Sequence, residues 1–474
     1  MRKYILTTLV LACIAAGGIL WAYGVINGQQ DDIAIKETIE AGSSEATKGI
    51  KVSTKVLDPT YGLNWNTDMF LDGSGNLQSR TDFQYDRLHK ESLHESAEDR
   101  HMVTERFCYD LAHLNKEDLE SKEELIMGTL LPMELAKNAW LAAGDRKEFI
   151  WHGCLDDYME YFPICIYTDC PSYDHPILNT TSDVHDQRID WSSYFQFPIP
   201  KDFPYQVKIR KDRVDGLSEF TMMTGNEDEA SYAVDSDGFW DGDRLYLAVS
   251  TMEEVGSGEI FVECPDEKRG IHIFPTEGEP VYYIDFEKAE MVYPIASGIK
   301  VINLTQSEDG RTLYLLTKDQ SGLTVDVIDK ASMKCRQKLQ LTESFAHTAS
   351  YEVSKAGKDW VFYAFDRKFV LITEQNGVYE EVMADTVGGL FNGAYIDCDY
   401  NGDRLAIVTT EWDSDVIETQ LRVFDKDGCL YRGRFDYSNR IQTQLRHRTA
   451  GAVGVCPQPA LSGGRSTAAR SGQP

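Results

Sequence analysis

The chain has 474 residues, 77 of them acidic and 47 basic, so its formal net charge at pH 7 is -30. Seven of the basic residues, and none of the acidic ones, lie outside residues 31–436, which leaves this segment about 37 charges negative. Such a surface excludes nucleic acid and anionic lipid as partners, whereas cations and basic peptides would be attracted to it. A high charge can also serve solubility alone.

The first predicted element is an uncharged, apolar helix over residues 4–26. At 1.5 Å per residue it reaches about 34 Å, enough to cross the hydrocarbon core of a bilayer. Arg2 and Lys3 precede it, whereas the first charge after it is Asp31, so the positive-inside rule predicts a cytoplasmic N-terminus. We therefore expect residues 1–27 to be a signal-anchor transmembrane helix in the cell membrane, with the remaining chain extracytoplasmic.

Two other interpretations of this segment stay open. The sequence AYG that ends at Gly24 has the small-x-small pattern of a signal peptidase site, and cleavage there would make the protein secreted. The sequence VLAC that ends at Cys13 resembles a lipobox, although more apolar residues follow it. After the helix, residues 28–50 are polar and rich in Gly, Ser, Glu and Lys, which predicts a stalk.

The folded domain is predicted over residues 51–437, where the pattern consists mainly of strands. Three windows share one layout: a tight turn at a glycine, an apolar strand, a loop, a second apolar strand and an alternating third strand. The turn glycines are Gly310, Gly357 and Gly402, and a fourth copy places its turn at Gly242. An insertion of about 20 residues would explain the longer gap after Gly242.

A repeat of about 45 residues with four short strands is the signature of a β-propeller blade, which buries its faces by stacking on its neighbours. We therefore predict an all-β fold, a β-propeller of about 6–8 four-stranded blades. A β-sandwich also has short strands at regular spacing, but it does not repeat the whole unit at a fixed period. The windows resemble the tryptophan-aspartate and YVTN-like propeller repeats in general layout over roughly residues 205–437. Trp240-Asp241 lies before the turn glycine and Trp412-Asp413 after the strand.

Before residue 205, residues 66–83 and 147–169 both show strand-turn-strand patterning and are predicted to be earlier blades. Between them, apolar residues at helical spacing predict a helical insertion near 116–143, which packs on the propeller or presents a partner-binding face. Residues 438–474 form a basic tail without an acidic residue, which predicts disorder. A wrong reading frame or a truncated gene end would give the same composition.

The cysteines do not form a metal or redox motif, because no C-x-x-C occurs. Cys154, Cys165 and Cys170 cluster in sequence, so a disulfide within this group and free thiols are both open.

The best candidate for an ion-binding loop runs from Asp397 to Gly402, with oxygen-bearing side chains at alternate positions before a glycine. Val408 stands where an EF-hand needs its last carboxylate, and Asn401-Gly402 is a favoured hairpin turn, so a β-hairpin is the competing interpretation.

A second acidic segment carries Asp235, Asp237, Asp241 and Asp243, which could bind a cation or supply paired acid-base carboxylates. Aspartates in turns more commonly accept hydrogen bonds from the local backbone.

An aromatic segment around three prolines could line a carbohydrate or peptide groove, or could pack in the core. Its aromatic residues are Trp191, Tyr194, Phe195, Phe197, Phe203 and Tyr205. His89 and His94 are five residues apart, which is off one helical face, and no H-E-x-x-H, nucleophile elbow or phosphate-binding loop occurs. We therefore assign no catalytic, cofactor-binding or metal residue, and no cofactor.

Three functional hypotheses follow. The leading one is a membrane-anchored extracytoplasmic propeller that binds a protein, peptide or glycan ligand without chemistry. The second is an exported propeller hydrolase or lyase that uses convergent acidic residues with shifted pKa values. The third is an accessory or sensory subunit of a membrane complex.

Overall fold

The computed structural model describes residues 2–28, 34–58, 63–85, 101–102, 146–154, 156, 160–162, 165–169, 186–214, 217–225, 232–254, 259–277, 283–342, 353–365, 368–386, 395–413, 416–438 and 453–459. The chain divides into two compact units. Unit 1 contains residues 1–95 and 352–474, and unit 2 contains residues 96–351. Each unit is described by itself.

The described elements are mostly strands. In chain order they are α1 (Arg2–Gly28), β1 (Ala34–Gly42), a 3-10 turn (Ser44–Thr47), β2 (Ile50–Asp58), β3 (Leu63–Leu71), β4 (Leu77–Tyr85), β5 (His101–Met102), β6 (Arg146–Cys154), β7 (Cys165–Asp169), β8 (Asp186–Asp190), α2 (Ser192–Phe195), β9 (Pro204–Val214), β10 (Leu217–Gly225), β11 (Tyr232–Asp241), β12 (Arg244–Glu254), β13 (Ile260–Glu263), β14 (Gly270–Glu277), β15 (Tyr283–Ile284), β16 (Glu290–Pro294), β17 (Lys300–Gln306), β18 (Thr312–Asp319), β19 (Gly322–Asp329), β20 (Lys334–Gln340), β21 (Val353–Ala356), β22 (Trp360–Phe365), β23 (Lys368–Gln375), β24 (Val378–Thr386), β25 (Tyr395–Tyr400), β26 (Leu405–Asp413), β27 (Val416–Asp425), β28 (Gly428–Ser438) and β29 (Val453–Pro459).

The N-terminal apolar segment forms α1, as predicted, and its apolar side chains from Ile14 to Val25 are exposed. Over the residues that the structure describes, no helix is long and apolar enough to cross a membrane. The predicted signal-anchor span at residues 1–27 is therefore not supported.

The three predicted repeat windows each form a four-stranded antiparallel meander, β17 to β20, β21 to β24 and β25 to β28. Their similarity extends to the register. In all three, one residue of the fourth strand bulges out of the ladder with the third strand, namely Arg336, Val382 and Leu430. A four-stranded antiparallel sheet is thus confirmed as the repeated unit, while the number of blades and their closure into a ring stay predictions.

The fourth copy is confirmed with its insertion. Strands β11 and β12 turn at Gly242, whose φ of 61° lies in the left-handed region that glycine tolerates best. The sheet continues through β14 to β16, and the extra strand β13 pairs with β12 in the connection between β12 and β14.

The stalk prediction is corrected at residues 34–50. Strand β1 adds a fifth strand outside β28, and the hydroxyl of Tyr431 donates to Glu37 while Arg432 Nε lies 3.1 Å from Glu40. The glutamates and glycines resemble a solvated linker in sequence, but here the glutamates face basic and hydroxyl groups of β28. Composition alone does not reveal such a partner.

The tail prediction is corrected at residues 453–459. Strand β29 pairs with β2 along seven residues, and the sheet order is β29, β2, β3, β4. The last segment of the chain thereby supplies a strand to a sheet whose other strands come from the N-terminal region. Pro457 and Pro459 are tolerated because β29 is an edge strand and needs backbone donors on one side only.

The two segments predicted to be earlier blades, residues 66–83 and 147–169, have different outcomes. Residues 66–83 form the β3–β4 hairpin as predicted. In the second segment β6 pairs with β9 whereas β7 pairs with β8, so these two strands belong to different sheets and not to one hairpin. The predicted helical insertion near 116–143 lies outside the described residues.

Apolar side chains fill the space between neighbouring sheets within each unit. In unit 1, one cluster joins the sheet of β2 to the sheet of β26 through Val52, Met69, Val408 and Tyr431. In unit 2, a cluster joins β12 to β18 with Tyr246 stacked on Phe239 at 5.1 Å. Strands β12 and β18 are buried on both faces, which explains their nearly continuous apolar runs.

We predict that removal of β29 exposes the edge of β2. Deleting residues 439–474 should accelerate amide exchange at residues 50–56 at least tenfold, because β2 loses its ladder on that side. Hydrogen-exchange mass spectrometry measures this directly. Deleting only residues 460–474 is the control and should leave β2 protected; equal exchange in both variants would show that β29 does not hold this edge.

Candidate functional site

The candidate cation loop at Asp397 is a hairpin. Tyr400 pairs with Leu405, and Asn401 Oδ1 accepts hydrogen bonds from the backbone of Asp403 and Arg404 at 2.9 and 2.7 Å. Asp397 Oδ1 lies 2.5 Å from Lys355 Nζ on the neighbouring strand β21. A lysine on that carboxylate supplies the positive charge that a calcium ion would supply, so the hairpin interpretation is the correct one.

The acidic segment 235–243 distributes its carboxylates among separate partners. Asp235 is 1% exposed and accepts a hydrogen bond from Thr251 Oγ1. Asp241 lies 2.6 Å from Lys330 Nζ of the neighbouring sheet, and Asp243 is on an exposed turn. Within the described ranges, no group of three His, Cys, Asp or Glu residues could hold a metal ion.

Asp237 binds to the backbone of the next sheet. Its Oδ2 accepts hydrogen bonds from Asn303 Nδ2 at 2.6 Å and from the backbone N–H of Leu304 at 2.7 Å. Strand β17 is at the edge of its sheet, so this N–H has no strand partner on the side of β11. The carboxylate satisfies it and links the two sheets, a contact across sheets that the expectation of local turn capping did not include.

A buried ion pair lies beside these contacts. Lys300 Nζ of β17 is 2.7 Å from Glu253 Oε2 of β12, and the two side chains are 11% and 13% exposed. Ser250 Oγ of β12 accepts from the N–H of Val301 at 2.8 Å. The polar side chains of β11 and β12 thus hold β17 in place along its length.

Four of the six aromatic residues of the aromatic segment, Trp191, Phe195, Phe197 and Phe203, pack in the core. Trp191, Phe195 and Phe197 are fully buried. Trp191 meets Phe274 edge to face at 4.9 Å. The side chain of Tyr205 lies outside the described residues.

Cys154 is half-buried at the end of β6 and Cys170 is outside the described residues, so the disulfide stays a prediction. His89 and His94 are also outside them.

The structure also reveals a polar pair that the sequence analysis missed, between the buried His272 on β14 and the half-buried Tyr194 on α2. Tyr194 Oη lies 3.0 Å from His272 Nδ1, and His272 Nε2 lies 2.8 Å from the carbonyl oxygen of Lys268. A carbonyl only accepts, so Nε2 carries the proton and donates to it. In the neutral imidazole Nδ1 is then the acceptor, and the Tyr194 hydroxyl donates to it.

The surroundings keep both groups neutral. Burial lowers the pKa of His272 to about 4, and burial raises the pKa of Tyr194 to about 12. Lys268 Nζ is 3.5 Å from the centre of the Tyr194 ring, and burial raises the pKa of the nearby Cys264 thiol to about 12. A neutral histidine that is 0% exposed and has both nitrogens engaged is a structural anchor rather than a general base.

The signal for this pair was in the sequence but weak. His272 interrupts the apolar strand Ile271 to Phe274 and faces the same side as Phe274, which predicts burial. Its partner lies 78 positions earlier in the chain, so the hydrogen bond itself could not be anticipated.

Comparison with known proteins gives fold likenesses only. No family model and no curated protein matches this chain. A putative 6-phosphogluconolactonase from Bacteroides fragilis matches 49% of this chain and 94% of its own at 13% identity and a TM-score of 0.25. Periplasmic gluconolactonase from Pseudomonas aeruginosa matches 48% of this chain and 78% of its own, at 12% identity and a TM-score of 0.23. TolB from Acinetobacter baumannii matches 53% of this chain and 62% of its own, at 10% identity and a TM-score of 0.20. Because every TM-score is below 0.5, none of these likenesses supports an argument about this chain.

We predict that His272 makes stability depend on pH. Its pKa is lower in the folded state than the ordinary value of 6.5, so below pH 6.5 the unfolded chain binds a proton that the folded chain does not. The free energy of unfolding should fall by about 3 kcal/mol from pH 6.5 to 4 on this account. Urea denaturation at a series of pH values measures it.

His272→Gln is the matched variant, because glutamine can still donate to Lys268 but does not titrate. It should be less stable at pH 7 and should lose this part of the pH slope. An unchanged slope in the variant would mean that other groups cause the acid sensitivity.

We also predict that Asp237→Ala lowers the free energy of unfolding by about 2 kcal/mol, because it leaves the N–H of Leu304 without its acceptor. Glu308→Ala removes an exposed carboxylate from the turn that follows β17 and should change stability by less than about 0.5 kcal/mol. Chemical denaturation compares the two, and equal effects would contradict a linking role for Asp237.

Proposed function

We propose that this chain is a β-propeller-type, extracytoplasmic protein that binds a protein, peptide or glycan partner and does not catalyse a reaction. The proposal extends the four-stranded antiparallel repeats to blades of a propeller, whose loops and edges offer surfaces for recognition. It leaves out the membrane anchor that the sequence analysis expected.

The carrying observation is that carboxylates of both candidate acidic segments, residues 235–243 and 397–402, already have structural partners. Asp237 is bound to Asn303 and Leu304, Asp241 to Lys330, and Asp397 to Lys355. A hydrolase or lyase needs carboxylates that face the substrate and change protonation during the reaction. These side chains instead stabilise contacts between neighbouring sheets.

The extracytoplasmic location is supported by the order of charges around α1. Arg2 and Lys3 precede the helix and the strongly acidic segment from Asp31 follows it. Protease digestion of intact cells that express the full chain tests this part. Digestion of residues 31–474 is expected without lysis, and digestion only after lysis would contradict export.

We predict that the purified full chain does not turn over lactone, peptide or glycan substrates, while cross-linking in intact cells captures a specific partner. Mass spectrometry identifies the cross-linked partner, and reconstitution from two purified components confirms binding. Turnover that stops when one carboxylate among residues 235–243 is replaced, in a variant that still folds, would establish the hydrolase or lyase hypothesis instead.

A further inference from the structure

The outer edge of β28 shows how this chain receives an added strand. Strand β1 pairs with β28 from Ala34 to Gly42 and completes its free edge. Glu40 of β1 contacts Arg432, and Glu37 accepts a hydrogen bond from Tyr431. An acidic extended segment therefore docks on a basic fourth strand within the same molecule.

Strand β20 of unit 2 is the corresponding strand of another repeat. Both strands have a bulge after a cysteine, at Arg336 in β20 and Leu430 in β28. In both, the cysteine Sγ lies close to the carbonyl oxygen two residues on, at 3.2 Å for Cys335 and 3.3 Å for Cys429. Matching the bulges places Lys338 of β20 where β28 has Arg432.

The chemistry of β20 also matches that of β28. Lys334, Arg336 and Lys338 are exposed, and the strand has no acidic residue, although the whole chain carries a net charge of -30. Lys338 Nζ lies 2.6 Å from Asp326 Oδ2 and Arg336 contacts Asp329, yet the two basic side chains are still 62% and 49% exposed. Among the described strands β20 pairs only with β19, so it lies at the edge of its sheet.

We propose that the outer edge of β20 binds an extended acidic segment of a partner protein by strand addition, as β1 binds to β28. This deepens the proposed binding function, on which it rests, by naming a surface and the chemistry of the partner. Backbone hydrogen bonds to β20 supply the affinity, and glutamate or aspartate side chains opposite Lys338 and Lys334 select an acidic sequence.

The ion pairs and the backbone hydrogen bonds contribute unequally to the binding free energy. Each exposed ion pair is worth at most about 1 kcal/mol and weakens with salt, whereas the strand ladder adds several hydrogen bonds at once. Binding should therefore tolerate single substitutions in the peptide better than a proline at a position that donates to β20.

The probe is a labelled synthetic peptide with the sequence of residues 31–42, DDIAIKETIEAG, added to the purified full chain. Hydrogen-exchange mass spectrometry should show new protection at residues 334–340, and fluorescence anisotropy gives the affinity. Lys338→Glu should weaken binding about tenfold, and Lys334→Glu should weaken it severalfold without disturbing the contact with Asp326. Lys426→Glu, on the exposed turn before β28, makes the same change of charge and should have no effect.

Several results would overturn the proposal. These are no binding, equal weakening by Lys426→Glu, or protection at residues 428–438, which would mean that the peptide only displaces β1. If the Lys338→Glu variant still captures the cross-linked partner and the peptide does not bind, β20 is not the binding surface, while the proposed binding function stands. Absence of any partner in the cross-linking experiment would instead refute the proposed function.

Discussion

The backbone groups at the edges of its sheets are the constraint on which this structure depends. A four-stranded meander satisfies its inner hydrogen bonds within its own ladders, whereas the outer N–H and C=O groups of its first and last strand need partners from outside the meander. The chain meets this requirement in two ways. Strands from distant parts of the sequence, β1 and β29, complete the edges of β28 and β2. Side chains complete others, as Asp237 does for Leu304 and Ser250 for Val301.

The same requirement explains why so many polar groups are buried next to apolar clusters. Two sheets packed face to face gain stability from apolar contact, but apolar contact has little directional preference. A carboxylate that must meet a particular N–H or ammonium group sets the relative position of two strands. Glu253 with Lys300 and Asp237 with Asn303 do this for β17. The acidic residues of this protein are thus partly a means of alignment, in addition to their effect on solubility.

This use of charge has a consequence for function. The carboxylates of Asp237, Asp241 and Asp397 are engaged by lysine, amide or backbone donors of other strands. Burial keeps Tyr194 and His272 neutral. That pair therefore lacks the intermediate pKa that acid-base catalysis near neutral pH needs. Under the proposed binding function, exposed edges and loops are the surfaces that contact other molecules. Among the described edge strands, β20 is the one with three basic residues and no acidic residue.

Much of the fold was predictable from local patterns. The turn glycines, the apolar strands and the alternating fourth strand at β17 to β28 follow from side-chain period and turn chemistry, which neighbouring residues determine. The hairpin at Asn401 was predictable for the same reason. The sequence also indicated that His272 faces inward, because it shares a side of β14 with Phe274, although it could not identify Tyr194 as the partner.

What only the tertiary structure decided were contacts between segments far apart in the chain. Residues 34–42 have the composition of a linker and residues 453–459 contain two prolines, so neither is a strand on local grounds. Each becomes one because the open edge of another strand provides its hydrogen-bond partners. Likewise, the carboxylates of residues 235–243 could have bound a cation, and Lys330 and the backbone of β17 decided otherwise. Local patterning determined the repeated sheet, whereas the satisfaction of its edges and buried charges required groups that only folding brings together.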